Sequence, residues 1–310
     1  MSAATDLAQA SRQAGDTAAE PSAQAEVAAA IGAAESAARS AGVYIRALDG
    51  MAELHRMCEL YERIWRFGAD SMPLSVELVR AMSKAGNYIA GAFDGDELVG
   101  ACVGFFAPPA HRSLHSHIAG VSPRTRGRSI GFALKVHQRA WALGHGVAEI
   151  AWTYDPLVGR NAYFNIGKLG ARPAEYLTNF YGPMHDGLNG ADETDRLLIE
   201  WRLGDPRVVA ACAGTPGRFD AAAEEAAGAR YALRRSPAGD PEPAPVPAGA
   251  PTVLVAVPRD IEGLRATDPD RAARWRTAVR DVLGGLLATG GRIRGFDRDD
   301  CYIVDTGGSA

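Results

Sequence analysis

The chain has 310 residues, 47% of them hydrophobic and 23% charged, which is typical of a globular protein with one large or two modest domains. Its formal net charge of −4 gives no overall basic character, so nucleic-acid binding is not expected. No apolar run reaches the roughly 18 residues of a membrane span, and no secretory signal pattern marks the N-terminus. We therefore expect a cytoplasmic protein that binds neither nucleic acid nor a membrane.

The cysteines and the overall residue usage indicate the redox state of the thiols, the absence of a metal site and the source of the protein. The cysteines are widely separated, at Cys58, Cys102, Cys212 and Cys301. They form no C-x-x-C pair and no Cys/His spacing of a zinc site, so we expect reduced thiols and no metal. The frequent use of Ala, Gly, Arg and Pro is typical of bacterial proteins from GC-rich genomes, which indicates a bacterial source.

Residues 1–40 are rich in alanine and contain almost no large apolar side chain. Such a segment buries too little surface to offset the entropy that is lost when it becomes ordered. Alanine still favours transient helix around residues 24–39. We predict a disordered tail over residues 1–40.

The pattern of apolar residues changes at Val43 and then predicts a succession of strands and helices. The predicted elements are a strand at 43–48, helices at 54–65 and 75–84, a hairpin of 87–93 and 97–106, a strand at 113–121, a helix at 130–143, a strand at 148–154, a helix at 161–169, and strands at 175–179 and 196–203. This order predicts an α+β (mixed α/β) domain over residues 41–204, with a central, mostly antiparallel sheet flanked by helices.

Residues 205–310 are predicted to form a smaller α+β extension. A proline-rich segment at 237–251 is typical of a linker. A βαββ pattern follows, with a strand at 252–257, a helix at 268–287 and a hairpin of 292–296 and 301–304. This segment alone offers little hydrophobic core, so we expect it to pack on the first domain or to form the interface of a homodimer.

The most informative stretch lies between the strand at 113–121 and the helix at 130–143. Pro123 ends the strand because it has no N–H for a sheet ladder, and a basic, glycine-containing loop, Arg124–Ser129, follows. Free N–H groups and the helix dipole at the start of the next helix favour a bound pyrophosphate. A solvated basic turn before an ordinary helix is the alternative.

Two motifs resemble those of the GNAT superfamily of N-acyltransferases. The loop, Arg126-Gly-Arg-Ser129-Ile-Gly131, resembles the acyl-CoA-binding signature Arg/Gln-x-x-Gly-x-Gly/Ala, with Ser129 in place of the first glycine. The segments 152–157, 161–165 and 168–171 are similar to the later family motif, in which a strand leads to an Asn and a short helix. The stretch through residue 201 is similar to a predicted bacterial GNAT subfamily of uncertain substrate.

This resemblance covers about half of the chain and implies a GNAT-like fold and activity. The implied function is an acyl-CoA-dependent N-acyltransferase, with acetyl-CoA, succinyl-CoA or another short acyl-CoA as co-substrate. The acceptor would be the amine of a small molecule or an amino acid, attacking directly in a ternary complex without a metal. The alternative is a non-catalytic acyl-CoA-binding sensor or assembly module.

The resemblance also implies a set of residues around the acyl-CoA. The loop and helix start would hold the pyrophosphate, and the end of the preceding strand would pair with the pantetheine arm. The implied cofactor-binding residues are Gly120, Val121, Ser122, Arg124, Arg126, Gly127, Arg128, Ser129, Ile130, Gly131 and Asn161.

The catalytic candidates are His115, His117, Asp155 and Tyr163. The two histidines lie two apart on one strand and so share a face, where a neutral imidazole suits a general base; a structural histidine is the alternative. Asp155 is a candidate for binding the substrate ammonium, or a turn residue before a proline. The family's general acid, a tyrosine, corresponds to Ile166, so Tyr163 is the candidate replacement; Tyr154, Tyr181 and solvent are the others.

Overall fold

The structure is a computed structural model that describes residues 20–66, 74–182, 192–246 and 249–307. The helices are α1 (Glu20–Ala41), α2 (Met51–Trp65), α3 (Val76–Lys84), α4 (Ile130–Gly144), α5 (Gly159–Ala162), α6 (Pro206–Cys212), α7 (Ala221–Ala226), α8 (Ile261–Thr267), α9 (Pro269–Val279) and α10 (Gly285–Ala288). The strands are β1 (Tyr44–Ala47), β2 (Tyr88–Asp94), β3 (Glu97–Phe106), β4 (Ser113–Val121), β5 (Glu149–Tyr154), β6 (Arg172–Leu177), β7 (Arg196–Arg202), β8 (Arg230–Arg235), β9 (Pro241–Pro243), β10 (Thr252–Ala256), β11 (Arg292–Asp297) and β12 (Cys301–Asp305).

The first sheet has the strand order β1-β2-β3-β4-β5-β7-β6. Every neighbouring pair is antiparallel except β4 and β5, which are parallel because a helix, α4, connects them. The apolar face of α2, with Leu54 and Leu60, packs with α3 on one side of β1–β4, and α1 and α4 lie on the other side. The predicted α+β class and the mostly antiparallel sheet flanked by helices are confirmed.

The N-terminal segment differs from the prediction. Residues 1–19 of the predicted tail lie outside the described residues, but residues from Glu20 onward form α1, which packs along α4. Ala30 and Ala34, one turn apart, are buried, and Glu26 lies 3.7 Å from Arg139 of α4. The prediction of disorder was wrong here because alanines allow two helix backbones to approach closely, so that contact does not require large side chains.

The C-terminal extension forms a second sheet, with the order β11-β12-β10-β8-β9, in which only β8 and β10 are parallel. Trp275, Phe296 and Tyr302 are almost fully buried, so this extension has a substantial core, contrary to expectation. The predicted linker at 237–251 contains β9, an edge strand that tolerates two prolines. The predicted helix 268–287 is interrupted by a π-helical turn, Arg280–Gly284.

The second sheet packs against the end of β5 and the residues that follow it. Tyr302 donates to the carbonyl of Pro156 at 2.8 Å, and its hydroxyl lies 3.2 Å from that of Tyr154. Arg207 bridges the carbonyls of Ile166 and Arg294. The C-terminal extension therefore holds the chain segment between β5 and β6 in place, beside the region where the sequence predicts the acyl-CoA.

Candidate active site

The first sheet opens between its two parallel strands. β4 and β5 pair only over Ser113–His115 and Glu149–Ala151, although both strands continue beyond these residues. Past that point, β4 keeps its ladder to β3 and β5 keeps its ladder to β7. The result is a gap in the sheet whose edges carry backbone N–H and C=O groups, which an extended amide-containing ligand can pair with.

The backbone groups that face this gap differ from those predicted. Ser122 donates to the Val99 carbonyl at 2.8 Å, and Gly120 is in register with Ala101 of β3. Because backbone groups alternate in direction along a strand, Gly120 and Ser122 point toward β3 and Val121 points into the gap. Of the three residues predicted to pair with a pantetheine arm, only Val121 is directed toward it.

The gap leads to the start of α4, where the backbone N–H groups lack a side-chain cap. Ser129 is the N-cap residue, but it has a left-handed backbone (φ 60°, ψ 23°) and its hydroxyl accepts no capping bond. Left-handed backbone favours glycine, which explains why the family signature has glycine at this position. Uncapped N–H groups at a helix start, with the positive end of the helix dipole, suit a phosphate or pyrophosphate.

Space for such a ligand exists beside the first turn of α4. A Cβ built on Gly131 meets its nearest neighbours, Val121 and Phe164, at 3.8 and 4.0 Å, and one built on Gly127 meets nothing within 4 Å. Ile130 is buried and anchors the helix start to the core. Asn161 lies on α5, the short helix that leads into the turn carrying Phe164. The residues present therefore fit the pyrophosphate end of an acyl-CoA.

The three arginines of the loop have different environments. Arg124 and Arg126 are exposed, and among the described residues no side-chain partner is recorded for either. Arg128 lies 2.5 Å from Asp94 and also donates to the carbonyl of Gly42. The guanidinium of Arg128 thus ties the loop to the β2–β3 turn and the end of α1, and its role in binding the cofactor stays a prediction.

His115 and His117 lie on the face of the sheet opposite α4. A β-bulge in β4 leaves His117 without a partner on β3 and brings its ring to within 6.2 Å of the His115 ring, with Phe105 packed against both. Burial lowers the pKa of both imidazoles below the ordinary value, and for His115 the charges of His117 and Lys135 lower it further. Both rings are therefore neutral at pH 7 and able to accept a proton.

The opposite wall of the gap on this face comes from β5 and the loop between β6 and β7. Thr153 follows the paired part of β5, and its hydroxyl lies 3.0 Å from that of Tyr181. Tyr181 and Phe180 are exposed by 44% and 48%, and their rings make an edge contact. Aromatic side chains with one exposed polar tip suit the binding of a small organic acceptor.

Asp155 does not face this opening. Its carboxylate is buried and accepts hydrogen bonds from Arg276 at 2.8 and 2.9 Å and from Arg265 at 2.5 Å. Burial alone would raise the pKa of Asp155, but the two guanidinium groups outweigh it and hold the pKa well below its ordinary value. The prediction that Asp155 binds a substrate ammonium is corrected, since both of its oxygens are already paired.

Tyr163 also has another partner. Its hydroxyl accepts a hydrogen bond from Arg298 at 2.8 Å, in the turn between β11 and β12, and the same guanidinium lies 5.1 Å from the ring. Ile166, which stands where the family has its acidic tyrosine, is fully buried. The structure thus gives Tyr163 a contact with the second sheet, and the role of general acid stays a prediction for it.

A buried polar cluster at the closed end of the gap was missed by the sequence analysis. The ammonium of Lys135, on α4, lies 3.1 Å from the Ser116 hydroxyl and 2.7 Å from the Gln138 carbonyl oxygen. It also lies 3.7 Å from the ring centroid of Trp152. The available signal was a lysine between Leu134 and Val136 in a helix that is apolar on most sides.

Comparison with known proteins finds a family model that matches part of the first domain. Residues 54–165 match the model of the Acetyltransferase (GNAT) family. The resemblance to the GNAT superfamily is thereby confirmed, and the first domain has a GNAT-like fold. The matched range runs from α2 into a second π-helical turn, Tyr163–Lys168, and contains both edges of the gap, the loop and the start of α4. The match supports acyl-CoA-dependent N-acyl transfer as the general activity.

Solved structures similar to this chain include several acetyltransferases. The ribosomal-protein-S18-alanine N-acetyltransferase of Escherichia coli is 14% identical, with a TM-score of 0.43, over 53% of this chain and 97% of that one. The ribosomal-protein-alanine N-acetyltransferase of Brucella melitensis is 16% identical, with a TM-score of 0.43, over 51% and 99%. A putative acetyltransferase of Salmonella typhimurium, solved with its cofactor acetyl-CoA, is 13% identical, with a TM-score of 0.42, over 53% and 95%. No curated protein matches the chain.

Two kinds of feature are absent from the part of the chain that the structure describes. None of its helices is both long enough and apolar enough to cross a membrane. Nor do its His, Cys, Asp and Glu side chains form a group of three or more placed to hold a metal ion.

Proposed function

We propose that the protein transfers a short acyl group, acetyl or succinyl, from its CoA thioester to the amine of a small molecule or amino acid. The observation that carries this proposal is the continuity of the site: the gap between β4 and β5 ends at the uncapped start of α4. A long ligand with a pyrophosphate at one end and an amide-containing arm would fit this path. An acyl-CoA has both parts.

The ligand would be held mainly by backbone groups and two arginines. N–H groups from Gly127 to Gly131 would bind the pyrophosphate, with Arg124 and Arg126 adding charge-assisted contacts. Val121 would pair with the pantetheine arm, which takes the place of the missing β5 ladder. This arrangement directs the thioester toward the closed end of the gap, where β4 and β5 meet.

The acceptor amine would approach from the face that carries the histidines. His117 lies where β4 has already separated from β5, so it is our first candidate for the base that takes the ammonium proton, and His115 is the second. The free amine then attacks the thioester carbonyl directly, and the carbon–sulfur bond breaks. Holding both reactants in one gap supplies the orientation that a bimolecular reaction in water lacks.

The test combines ligand binding with turnover. Thermal unfolding of the full chain is measured with CoA, acetyl-CoA, succinyl-CoA and longer acyl-CoAs, because a ligand that binds only the folded state raises the midpoint. Release of free CoA thiol is then followed with a panel of amines and amino acids. We expect stabilisation by at least one ester and amine-dependent thiol release with the same ester.

A matched pair of variants locates the site on α4. Gly131→Leu places a side chain in the space beside the helix start, whereas Gly144→Leu adds the same side chain at the other end, where a Cβ meets nothing within 4 Å. We expect Gly131→Leu to abolish the shift and Gly144→Leu to keep it. The absence of any shift with every ester at millimolar concentration would refute the proposal.

A non-catalytic acyl-CoA-binding module is the second candidate. The observation that favours it is that Ile166 is buried and occupies the position of the tyrosine that serves as general acid in the family. Such a module would show the same thermal shifts and the same effect of Gly131→Leu. It would release no thiol with any amine in the panel, which separates it from a transferase.

A further inference from the structure

Lys135 stands out among the buried ionisable groups because of its position relative to the gap. Its ammonium contacts Ser116 and Trp152, which are the first residues of β4 and β5 after the last paired residues, His115 and Ala151. The side chain therefore lies on the α4 face of the sheet, directly at the point where the two strands separate. His115 and His117 lie near the same point, on the opposite face of the sheet.

The charge of Lys135 has no ionic partner in the described residues. Its side chain is 4% exposed, and its neighbours there are one hydroxyl, one amide oxygen and the rings of Trp152 and Trp201 at 3.7 and 5.3 Å. No carboxylate lies within ion-pair distance of it among those residues. Burying an ammonium without a carboxylate is costly, and lysines are rarely found so placed without a functional reason.

The same cluster contains an unused hydrogen-bond donor. Gln138 is fully buried, and although its carbonyl oxygen accepts from Lys135, its Nε2 has no partner in the described structure. The other nitrogen donor nearby, Nε1 of Trp152, donates to the side-chain oxygen of Asn165 at 3.2 Å. The unpaired donor is therefore Nε2 of Gln138, beside Lys135. An uncompensated cation and an orphaned donor together indicate a site that receives negative charge.

When an amine attacks a thioester, negative charge develops first on the carbonyl oxygen and then passes to the sulfur. Once the tetrahedral carbon collapses, the electron pair of the carbon–sulfur bond moves to the sulfur, which leaves as a thiolate. If the acyl-CoA lies in the gap as proposed above, its sulfur is near the point where the strands meet. The residue that the family uses to protonate this atom is replaced here by Ile166.

We propose that Lys135 is the general acid of the reaction and protonates the departing CoA sulfur. The proton moves from the Lys135 ammonium to the thiolate, giving CoA thiol and a neutral amine on the lysine. The attacking nitrogen, which gave one proton to the histidine base before the attack, loses its remaining surplus proton to water, and Lys135 is reprotonated from solvent before the next turnover. Ser116 and Gln138 orient the ammonium. This inference rests on the proposed acyltransferase function.

The electrostatics of the pocket agree with this role. Burial lowers the pKa of Lys135 to about 8, toward the range in which thiols titrate, and two groups whose pKa values are similar exchange a proton with little energetic cost. The other titratable groups around it are Cys102 on β3, Cys212 on α6 and His115 on β4. Burial raises the pKa of both thiols, so neither carries charge near pH 8.

Two variants separate charge from proton donation. Lys135→Met removes the charge at similar length, whereas Lys135→Arg keeps a charge that does not give up its proton. We expect both variants to bind acyl-CoA and to lose about a hundredfold in kcat, the lower end of the range for a general acid, since a thiolate leaves readily. In the wild type, kcat falls with increasing pH near 8; in both variants this alkaline limb disappears.

A second readout does not depend on turnover. The pKa of the thiol of bound CoA is measured from the ultraviolet absorbance of the thiolate during a pH titration of the enzyme–CoA complex. A neighbouring ammonium lowers this pKa by about one unit or more, so it should be lower in the wild type and in Lys135→Arg than in Lys135→Met. If Lys135→Met does not fold, the wild-type value is compared with that of free CoA.

The outcomes distinguish this inference from the function on which it rests. A bound thiol with the same pKa as free CoA, or full kcat in either variant, would overturn the role of Lys135 while leaving acyl transfer intact. Lower thermal stability with an unchanged thiol pKa would identify Lys135 as a structural residue only. Failure of the wild type to bind CoA would instead overturn the proposed function itself.

Discussion

At the scale of single residues, the two histidines on β4 are set for a proton-accepting role by their surroundings. The β-bulge at His117 turns both rings toward the same face, and Phe105 covers part of each. Half-burial makes the charged form of an imidazole unfavourable, which lowers the pKa of both rings. A general base must be unprotonated to act. The lowered pKa therefore extends toward acid pH the range over which the histidines can accept a proton.

The first prediction concerns the acid side of the pH profile. Because a lowered pKa keeps the histidines neutral at pH 7, kcat/KM in the wild type should be constant near neutrality and fall only below about pH 6.5. His117→Ala should lower kcat/KM by about a hundredfold or more and remove this limb. The measurement is kcat/KM between pH 5 and pH 9 with the best ester and amine.

Two controls show which ring acts. His111→Ala removes an exposed imidazole in the turn before β4 and should leave the profile unchanged. His115→Ala tests the neighbouring ring, and a loss there with full activity in His117→Ala would reverse the assignment. Retention of the acid limb in both single variants would exclude either histidine as the base.

At the scale of elements, the strands and helices of the first domain could largely be predicted from periodicity and turn residues. The hairpin around Asp94, the helix that ends at Lys84 and the helix that starts at Ile130 all appear where the sequence places them. The gap could not be predicted, because how far two parallel strands stay paired depends on what packs between them. Lys135 was missed for the same reason: its importance comes from strands that are distant in sequence.

The Ala-rich helix α1 shows a different limit of sequence reasoning. It was expected to be disordered because it has few large apolar side chains, yet its buried stripe of small residues packs closely on α4. Close packing of small side chains yields many contacts per residue, which a count of large apolar residues does not register. Since α4 carries both the proposed phosphate site and Lys135, α1 supports the helix on which the proposed chemistry depends.

The second prediction tests this packing with neighbouring alanines of α1. Ala30→Leu places a larger side chain at a position that is 1% exposed and should lower the free energy of unfolding by about 1–3 kcal/mol. Ala29→Leu makes the same change at an exposed position and should have little effect. Both are measured by denaturant unfolding. Equal stability of the two variants would show that α1 does not dock on α4 in solution.

At the scale of the whole molecule, a buried ionic cluster joins the two sheets. Asp155, at the end of β5, and Asp192, before β7, are bridged by Arg265 and Arg276 from α8 and α9. The cluster contains two carboxylates and two guanidinium groups, so it is neutral as a unit. Such a network adds little stability compared with apolar packing. Loss of one member nevertheless lowers the stability of the protein strongly, because it leaves a buried charge without a partner.

The pH dependence of this cluster follows from the lowered pKa of Asp155. The folded state holds the Asp155 proton less tightly than the unfolded chain, whose aspartates have a pKa of about 3.9. The ion pairs of Asp155 therefore contribute fully to stability above about pH 4. This contribution is lost as the pH falls through the pKa that Asp155 has in the folded state. Acid unfolding should begin with release of the C-terminal extension from the end of β5, which also frees the segment beside the proposed acyl-CoA site.

The last prediction compares two arginines of α9 that differ in burial. Arg276→Met leaves Asp155 and Asp192 buried with one cation between them and should lower the free energy of unfolding by about 3–5 kcal/mol at pH 7. Arg274, on the same helix as Arg276, is exposed and pairs with Asp240. Arg274→Met should therefore leave stability unchanged. Adding Asp155→Asn to Arg276→Met restores neutrality and should recover part of the loss. Denaturant unfolding between pH 4 and pH 7 measures all three, and a double variant no more stable than Arg276→Met would show that packing, and not the buried charge, is what Arg276 supplies.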